Sequence, residues 1–293
     1  MPHLIVIGGP TASGKTRLAI EVAQHYGTVI LSADSRQFYR ELRIGAAPPS
    51  AEELAAAPHY FIADRSVRAP LSAGRYADEA MNRLAELFEH HEVVVVVGGS
   101  GLYLRALCEG LDEFPPVLPV ARQTVRQLQE RRGLRGLQDW LRAVDPGYYD
   151  RVDQQNGRRL QRALEVSLST GRPYSSFLGQ PPPRPFDCHY FMPEVAREEL
   201  YRRIDQRVDR MLTAGLEAEV RSLLPLSDLR ALQTVGYQEW WPYFAGTYSR
   251  ERAVECIKRN SRRYAKRQLT YFRNYQKVSS ANVIAKYMVG RFG

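Results

Sequence analysis

The 293-residue sequence has few cysteines and no long apolar run. Its three cysteines are widely spaced, which argues against a disulfide framework or a structural zinc site. The longest apolar run, Val93 to Val97, is far shorter than the roughly 20 residues of a membrane span. The chain also starts without the cationic segment of a signal peptide. We therefore expect a protein of the reducing cytoplasm that has no membrane partner.

Acidic residues are missing from the last part of the sequence. Ten of the 41 basic residues and no acid fall between Cys256 and Gly293, which leaves 31 bases against 32 acids in the rest of the chain. The net charge of +9 is therefore concentrated at one end. Such a segment is typical of proteins that bind a polyanion, with nucleic acid as the first candidate and an anionic membrane as the weaker one.

Apolar runs alternate with helical patterns in the first 113 residues. Strands are predicted at Leu4–Ile7, Thr28–Leu31 and Glu92–Val97, and helices at Thr16–His25 and Tyr76–His90. Alternation of this kind predicts an α/β fold, with a P-loop NTPase-like parallel sheet flanked by helices.

The chain changes character after residue 113. From Pro119 to about Thr170 the pattern is helical, and Pro-rich stretches at 113–116 and 181–185 bracket it. We predict an inserted all-helical subdomain at residues 114–184, within a catalytic core formed by residues 1–113 and 185–293. In the second part of the core we predict a strand at Asp187–Met192 and helices at Leu200–Leu224 and Arg252 to about Gln276.

The segment GPTASGKT matches the phosphate-loop pattern G-x-x-x-x-G-K-[ST]. It follows a predicted strand and opens a predicted helix, where backbone N–H groups and the helix N-terminus can hold a phosphate. Lys15 supplies a cation there, and the Thr16 hydroxyl is a natural Mg²⁺ ligand. The motif predicts a diphosphate-bearing ligand held by Gly9, Pro10, Thr11, Ala12, Ser13, Gly14, Lys15 and Thr16.

The acid that a P-loop ATPase carries after a second apolar strand is absent here. Glycines and Ser100 follow Val93–Val97, which indicates a second anion-binding helix start or a serine that only caps that helix. An acid follows the strand Thr28–Leu31 instead. Asp34 could accept a proton, bind Mg²⁺ through water, or cap the next turn. The adjacent Arg36 and Gln37 suit a base, a phosphate or plain solvent.

The tail contains a predicted helix with four bases that fall close together on its surface. Arg259, Arg263, Lys266 and Arg267 could follow the phosphates of a nucleic acid. A solvated helix face is the alternative interpretation of the same pattern.

Four segments together resemble the bacterial tRNA dimethylallyltransferases, also called tRNA isopentenyltransferases. They are the phosphate loop, SADSRQFYR at 32–40, GGSGLY at 98–103 and RRYAKRQ at 262–268. Their order and spacing agree with the family from about residue 4 to residue 273. Two positions depart from its pattern, because Ser100 stands where threonine is usual and Gly157 where aspartate often follows asparagine.

The resemblance implies a reaction. Members transfer the dimethylallyl group of dimethylallyl diphosphate to N6 of the adenosine immediately 3′ of the anticodon, and Mg²⁺ assists. No γ-phosphoryl group is transferred, which accounts for the missing acid. The implied partners are tRNA, through its anticodon stem-loop, and dimethylallyl diphosphate, with no obligate protein partner and a monomer as the expected state.

The resemblance also implies roles for individual residues. Asp34 matches the general base, Ser100 the hydroxyl that contacts diphosphate or Mg²⁺ alongside Thr16, and Lys15 and Arg210 the clamps on the leaving diphosphate. The target base would be contacted by Asp34, Ser35, Arg36 and Gln37. Contacts to the anticodon stem-loop would come from Arg158, Arg159, Leu160, Gln161 and Arg162, and from the four tail bases named above.

Two other classes of protein compete with this interpretation. A small-molecule P-loop kinase predicts ATP turnover and an acid near the γ-phosphate. A non-catalytic RNA-binding P-loop protein predicts RNA affinity without product. An enzymatic relative that prenylates free AMP would lack a use for the helical insertion and the basic tail.

Overall fold

A computed structural model of the chain describes residues 1–179, 181 and 183–291. It divides into a core unit, residues 1–109 with 184–293, and an insertion unit, residues 110–183. The sequence places the insertion at residues 114–184, four residues later at its start and one at its end. Pro182 of the predicted proline-rich boundary lies outside the described residues.

The core unit contains a six-stranded parallel sheet in the order β3-β2-β4-β1-β5-β6. The strands are β1 (His3–Gly8), β2 (Ile30–Ser32), β3 (His59–Tyr60), β4 (Val93–Gly98), β5 (Asp187–Pro193) and β6 (Gln276–Val278). Alternate residues of β1 enter the apolar clusters on opposite faces of the sheet, so this strand is buried on both sides. The predicted α/β fold with a parallel sheet is confirmed.

Strand register brings two loops to the same edge of the sheet. Gly8 at the end of β1 pairs with Gly98 at the end of β4. The phosphate loop and the glycine turn that carries Ser100 therefore leave the sheet side by side. The helices of this half are α1 (Lys15–Tyr26), α2 (Ala51–Ala56), α3 (Ala73–Leu87) and α4 (Gly101–Cys108).

The insertion unit is helical, as predicted, but it is not one continuous helix. Its helices are α5 (Pro119–Val144), α6 (Pro146–Tyr149) and α7 (Gly157–Thr170). Within α5, Gly133 adopts a left-handed conformation (φ 59°) that kinks the helix. Leucines from α5 and α7, including Leu141 and Leu160, form the apolar centre of this unit.

The chain returns to the core through α8 (Arg197–Thr213), α9 (Leu216–Ser222), α10 (Trp241–Phe244), α11 (Arg250–Tyr271) and α12 (Ala281–Val289). The single helix predicted at Leu200–Leu224 is wrong, because Gly215 takes a left-handed conformation (φ 96°) and separates α8 from α9. The segment after Arg273, to which the sequence assigned no role, forms the edge strand β6 and helix α12. Ile284 and Met288 of α12 pack in the same apolar cluster as Leu18 of α1. Across the described residues, no helix is both long and apolar enough to span a membrane.

Candidate active site

The phosphate loop turns back on itself between β1 and α1. Ser13 N donates a hydrogen bond to Pro10 O at 3.3 Å, and Lys15 Nζ approaches the same oxygen at 3.4 Å. The buried Ser13 hydroxyl and the Thr16 hydroxyl have no hydrogen-bond partner in the part of the chain that the structure describes. A buried hydroxyl without a protein partner is usually satisfied by a water or a ligand oxygen.

Two buried or half-buried cations face this loop. Lys15 is 9% exposed, and its burial lowers its pKa from 10.5 to about 8, assisted by Arg207 and opposed by the charge of Asp34. Arg207 of α8 donates from Nη1 to Thr11 Oγ1 at 3.1 Å. Burial and the neighbouring Arg210 lower the pKa of Arg207, again against the charge of Asp34. An anion bound here would stabilise both charged forms.

The arginine at the phosphate loop is Arg207, whereas the sequence indicated Arg210. Arg210 lies one turn further along α8 and is exposed. Position 207 is flanked by the buried Ile204 and Val208, so the helix turns it toward the core. The apolar residues at positions 204 and 208 therefore indicate, from the sequence alone, that Arg207 faces the core.

Asp34 and Ser100 lie on neighbouring turns at the same edge of the sheet. Asp34 Oδ1 accepts a hydrogen bond from Arg36 N at 3.1 Å, so the local-turn interpretation holds for one of its oxygens. Ser100 makes no side-chain cap to α4. Its hydroxyl instead accepts from Ser35 N at 3.0 Å and donates to Ser35 Oγ at 3.0 Å. The capping interpretation of Ser100 is therefore wrong, because its side chain joins the two turns.

Helix α11 supplies two side chains to this centre that the sequence did not single out. Gln268 is 5% exposed, accepts a hydrogen bond from Thr11 N at 3.0 Å and donates one to Gly99 O at 2.8 Å. Tyr264 lies close to Ser100, and burial raises the pKa of its hydroxyl to about 12. Tyr264 therefore stays a neutral hydrogen-bonding group throughout the physiological range.

A cavity of about 180 Å³ opens beside these residues. Thr11, Asp34 and Arg207 form a polar end, and apolar side chains of α8 and α11, such as Val208 and Ile257, line the other walls. A shallower hollow of about 290 Å³ is lined by Ser100, Leu102, Arg267 and Tyr271. Ser35, Tyr264 and Gln268 line both spaces, so these three side chains lie between them.

The predicted base-contacting segment divides into two parts. Ser35 and Arg36 line the cavity with Asp34. The Gln37 side chain accepts from Ser32 Oγ at 3.2 Å and donates to Ala47 O at 2.9 Å. Gln37 thus holds the loop that walls the cavity, and its amide is committed to protein partners.

The basic face of α11 contains paired and unpaired cations. Lys258 and Arg262 form ion pairs of 2.5 Å with Asp209 and Asp205 of α8. Arg259 is half-buried and donates to Asn260 Oδ1 at 3.4 Å. Exposed residues with no acidic partner in the described ranges are Arg263, Lys266 and Arg267.

In the insertion unit, the predicted RNA contacts also differ in exposure. Arg158, Arg159 and Arg162 are exposed on α7, and the Arg162 guanidinium lies 5.3 Å from the centre of the Phe114 ring. Gln161 hydrogen-bonds Gln129 of α5. The assignment of Leu160 is wrong, because its side chain is 0% exposed in the unit's core and offers RNA no surface.

The model of the IPP transferase family matches residues 37–275, which is most of the chain. The chain belongs to this family. Among curated relatives, the tRNA dimethylallyltransferase of Christiangramia forsetii is 49% identical over 92% of this chain and 90% of its own length. The enzyme of the same name from Cytophaga hutchinsonii is 46% identical, covering 92% and 89%.

Solved structures agree with this assignment. The full-length tRNA isopentenylpyrophosphate transferase of Bacillus halodurans is 31% identical, with a TM-score of 0.73 over 99% of this chain and 96% of that one. A eukaryotic dimethylallyltransferase acting on tRNA has a TM-score of 0.79 at 23% identity, over 98% of this chain and 76% of its own. This second likeness shows a shared fold.

Proposed function

We propose that this chain transfers the dimethylallyl group of dimethylallyl diphosphate to N6 of the adenosine immediately 3′ of the anticodon in tRNA. Family membership and the names of its relatives make it a transferase, which confirms the predicted enzyme class over the kinase and the non-catalytic alternatives. The observation that carries the proposal is the pair of cations, Lys15 and Arg207, beside a carboxylate-lined cavity with apolar walls.

The donor would bind with its diphosphate on the phosphate loop. Lys15 and Arg207 then neutralise the charge that grows on the diphosphate as the carbon–oxygen bond breaks, and the electron pair stays with the leaving group. The unpartnered hydroxyl of Ser13 and the hydroxyl of Thr16 would bond phosphate oxygens. Val208, Met211 and Ile257 offer an apolar wall for the five-carbon chain.

The acceptor adenine would enter from the shallow hollow, flipped out of its stack. Its N6 forms the new bond to the prenyl carbon, and the proton it loses goes to Asp34. One oxygen of Asp34 is held by Arg36 N, which leaves the other for that proton. Ser100, fixed by Ser35, and the neutral Tyr264 would orient the amine and the leaving group.

The oxygen donors near the phosphate loop fit Mg²⁺, which prefers a few hard protein ligands together with water and substrate phosphates. Thr16 has a hydroxyl available for this role, whereas Ser100 would have to give up a bond to Ser35. When bound, the ion would supply further neutralisation of the leaving diphosphate.

The exposed arginines of the insertion unit and the exposed bases of α11 would bind phosphates of the anticodon stem-loop. They are Arg158, Arg159, Arg162, Arg263, Lys266 and Arg267. Because the acceptor is tRNA, we place the reaction in the cytoplasm.

A transfer assay tests the proposal. The protein, Mg²⁺ and radiolabelled dimethylallyl diphosphate are mixed with unmodified tRNA or with AMP, and the nucleosides are analysed. We expect label in N6-dimethylallyladenosine from tRNA alone. Label only in AMP would assign the protein to enzymes of free nucleotides, and ATP consumption without transfer would favour a kinase.

A further inference from the structure

A buried glutamine connects the two loops on which the proposed reaction depends. Gln268 lies in the middle of α11, yet its side-chain amide bonds backbone groups far away in the sequence, Thr11 N and Gly99 O. The first belongs to the phosphate loop and the second to the turn that carries Ser100. An interior polar side chain with this pairing contributes mainly by fixing where its partners lie.

The orientation of the amide follows from its partners. Thr11 N can only donate, so it faces the Gln268 oxygen, and Gly99 O can only accept, so it faces the amide nitrogen. The amide also fills the space beside Gly99. A Cβ on Gly99 would lie 2.5 Å from Gln268 Nε2, whereas its next neighbours, Gly9 O and Asp34 Oδ2, would be at 3.5 and 3.6 Å.

The bonds continue from Gly99 to the reacting groups. Ser100 follows Gly99 directly and accepts from Ser35 N, and Ser35 follows Asp34. A shift of Gly99 would therefore move Ser100 and the turn of Asp34 relative to the phosphate loop. Misplacement of reacting groups by about 1 Å can lower a rate about 10²-fold.

We propose that Gln268 is a positioning residue for the transfer reaction, holding the diphosphate loop and the Ser100–Asp34 turns at a fixed separation. This inference rests on the proposed function. Both polar ends of the Gln268 amide are committed to protein partners, so its effect on the reaction passes through Thr11 and Gly99. Its contribution lies in the chemical step and in the shape of the phosphate loop, while tRNA affinity depends on other residues.

The main test is Gln268→Met, which keeps the length of the side chain and removes both hydrogen bonds. We expect the single-turnover rate to fall about 10²-fold and the affinity for inorganic diphosphate to fall about tenfold, the scale of one lost buried bond. The dissociation constant for tRNA should stay within about twofold of wild type, because the exposed cations are unchanged.

A steric double-mutant cycle separates positioning from general stability. Gly99→Ala should slow the reaction in the wild-type background, where the new methyl meets Gln268, and much less in the Gln268→Ala background, where that space is empty. Val254→Ala, on the same helix but packed in the cluster around Trp240, serves as the control for lost stability. It should leave the single-turnover rate within about twofold.

Several outcomes would overturn the inference. A Gln268→Met enzyme with wild-type rate and diphosphate affinity would do so, and so would additive effects of Gly99→Ala and Gln268→Ala. If Gln268→Met fails to fold, the Gly99→Ala and Gln268→Ala cycle decides alone. If the wild-type protein transfers no prenyl group, the proposed function fails, and inorganic diphosphate binding then decides whether Gln268 shapes the phosphate loop.

Discussion

Two sets of cations in the core unit differ in almost every physical respect. Lys15 and Arg207 are withdrawn from water, have lowered pKa values and lie near the carboxylate of Asp34. Arg263, Lys266 and Arg267 stand exposed on α11. Arg267 lies with its guanidinium 5.6 Å from the centre of the Tyr264 ring.

This contrast in burial explains how one chain can bind two kinds of anion. Buried cations interact strongly with a small anion because little water screens them, and burial makes the charge of Lys15 sensitive to pH. Exposed cations interact weakly one by one and are screened by salt, but several together can bind a polyanion. We assign the first set to the prenyl diphosphate and the second to tRNA.

The largest effect is expected from removing the carboxylate of Asp34, whose charge acts on both buried cations. Asp34→Asn should lower the single-turnover rate by about 10²-fold or more, because the proton of the amine loses its acceptor. It should also lower the pKa of Lys15 below about 8, since the charge of Asp34 now raises it. Filter binding should show unchanged tRNA affinity. Unchanged turnover would contradict the role of general base and leave Asp34 only the structural role of accepting the hydrogen bond from Arg36 N.

A second substitution compares two arginines on one helix. Arg207→Gln should weaken binding of an unreactive prenyl diphosphate analogue by about 10- to 10²-fold, because a charge-assisted bond is lost. Arg210→Gln, one turn away and exposed, is the matched control and should change it by less than about threefold. Calorimetry on both variants measures the affinity for the analogue. Equal losses of affinity would mean that Arg207 and Arg210 contribute equally to diphosphate binding.

The third prediction concerns pH. Lys15 must be protonated to attract the diphosphate, so affinity for the analogue should fall as pH rises through about 8, by up to about tenfold per unit. Lys15→Met should abolish that slope. The stability of the free protein should depend on pH in the opposite direction. The unfolded chain keeps the Lys15 proton up to about pH 10.5, whereas the folded chain loses it near pH 8. The free energy of unfolding should therefore increase as pH rises from about 8 to 10.5.

The smallest effects are expected from the exposed set. Replacing Arg263, Lys266 and Arg267 with glutamine should reduce the slope of log affinity for tRNA against log salt by about 2 to 3. Lys258→Gln with Arg262→Gln is the control, because those charges are already paired with Asp209 and Asp205. If the control variant reduced the slope by as much per removed charge as the triple variant, the exposure of a basic residue would not decide whether it binds RNA.

The fold could be predicted well where the chain is buried. The sheet strands are continuous apolar runs, and the phosphate loop is a local motif between a strand and a helix. Predictions failed where one residue interrupts a pattern. Gly215 ends α8 within an amphipathic stretch, and β6 has only three residues, one of them buried.

Within the site, the sequence supplied the groups but not all their contacts. Asp34, Ser100 and Lys15 lie at one edge of the sheet because parallel strands end there. Arg207 and Gln268 reach the loop from helices far along the chain. The spacing around Arg207 shows that it faces the core, but no local pattern shows which loop it meets. Leu160 stands among basic neighbours in the sequence, but an apolar residue on an amphipathic helix belongs to the core face.

One salt titration tests the division between the two cation sets most directly. Affinities for tRNA and for an unreactive prenyl diphosphate analogue are measured on the same wild-type protein between about 50 and 200 mM salt. We predict that the affinity for tRNA falls steeply, as a high power of the salt concentration, and that the affinity for the analogue falls much less. Equal slopes would contradict the account, because they would mean that both anions use equally exposed cations.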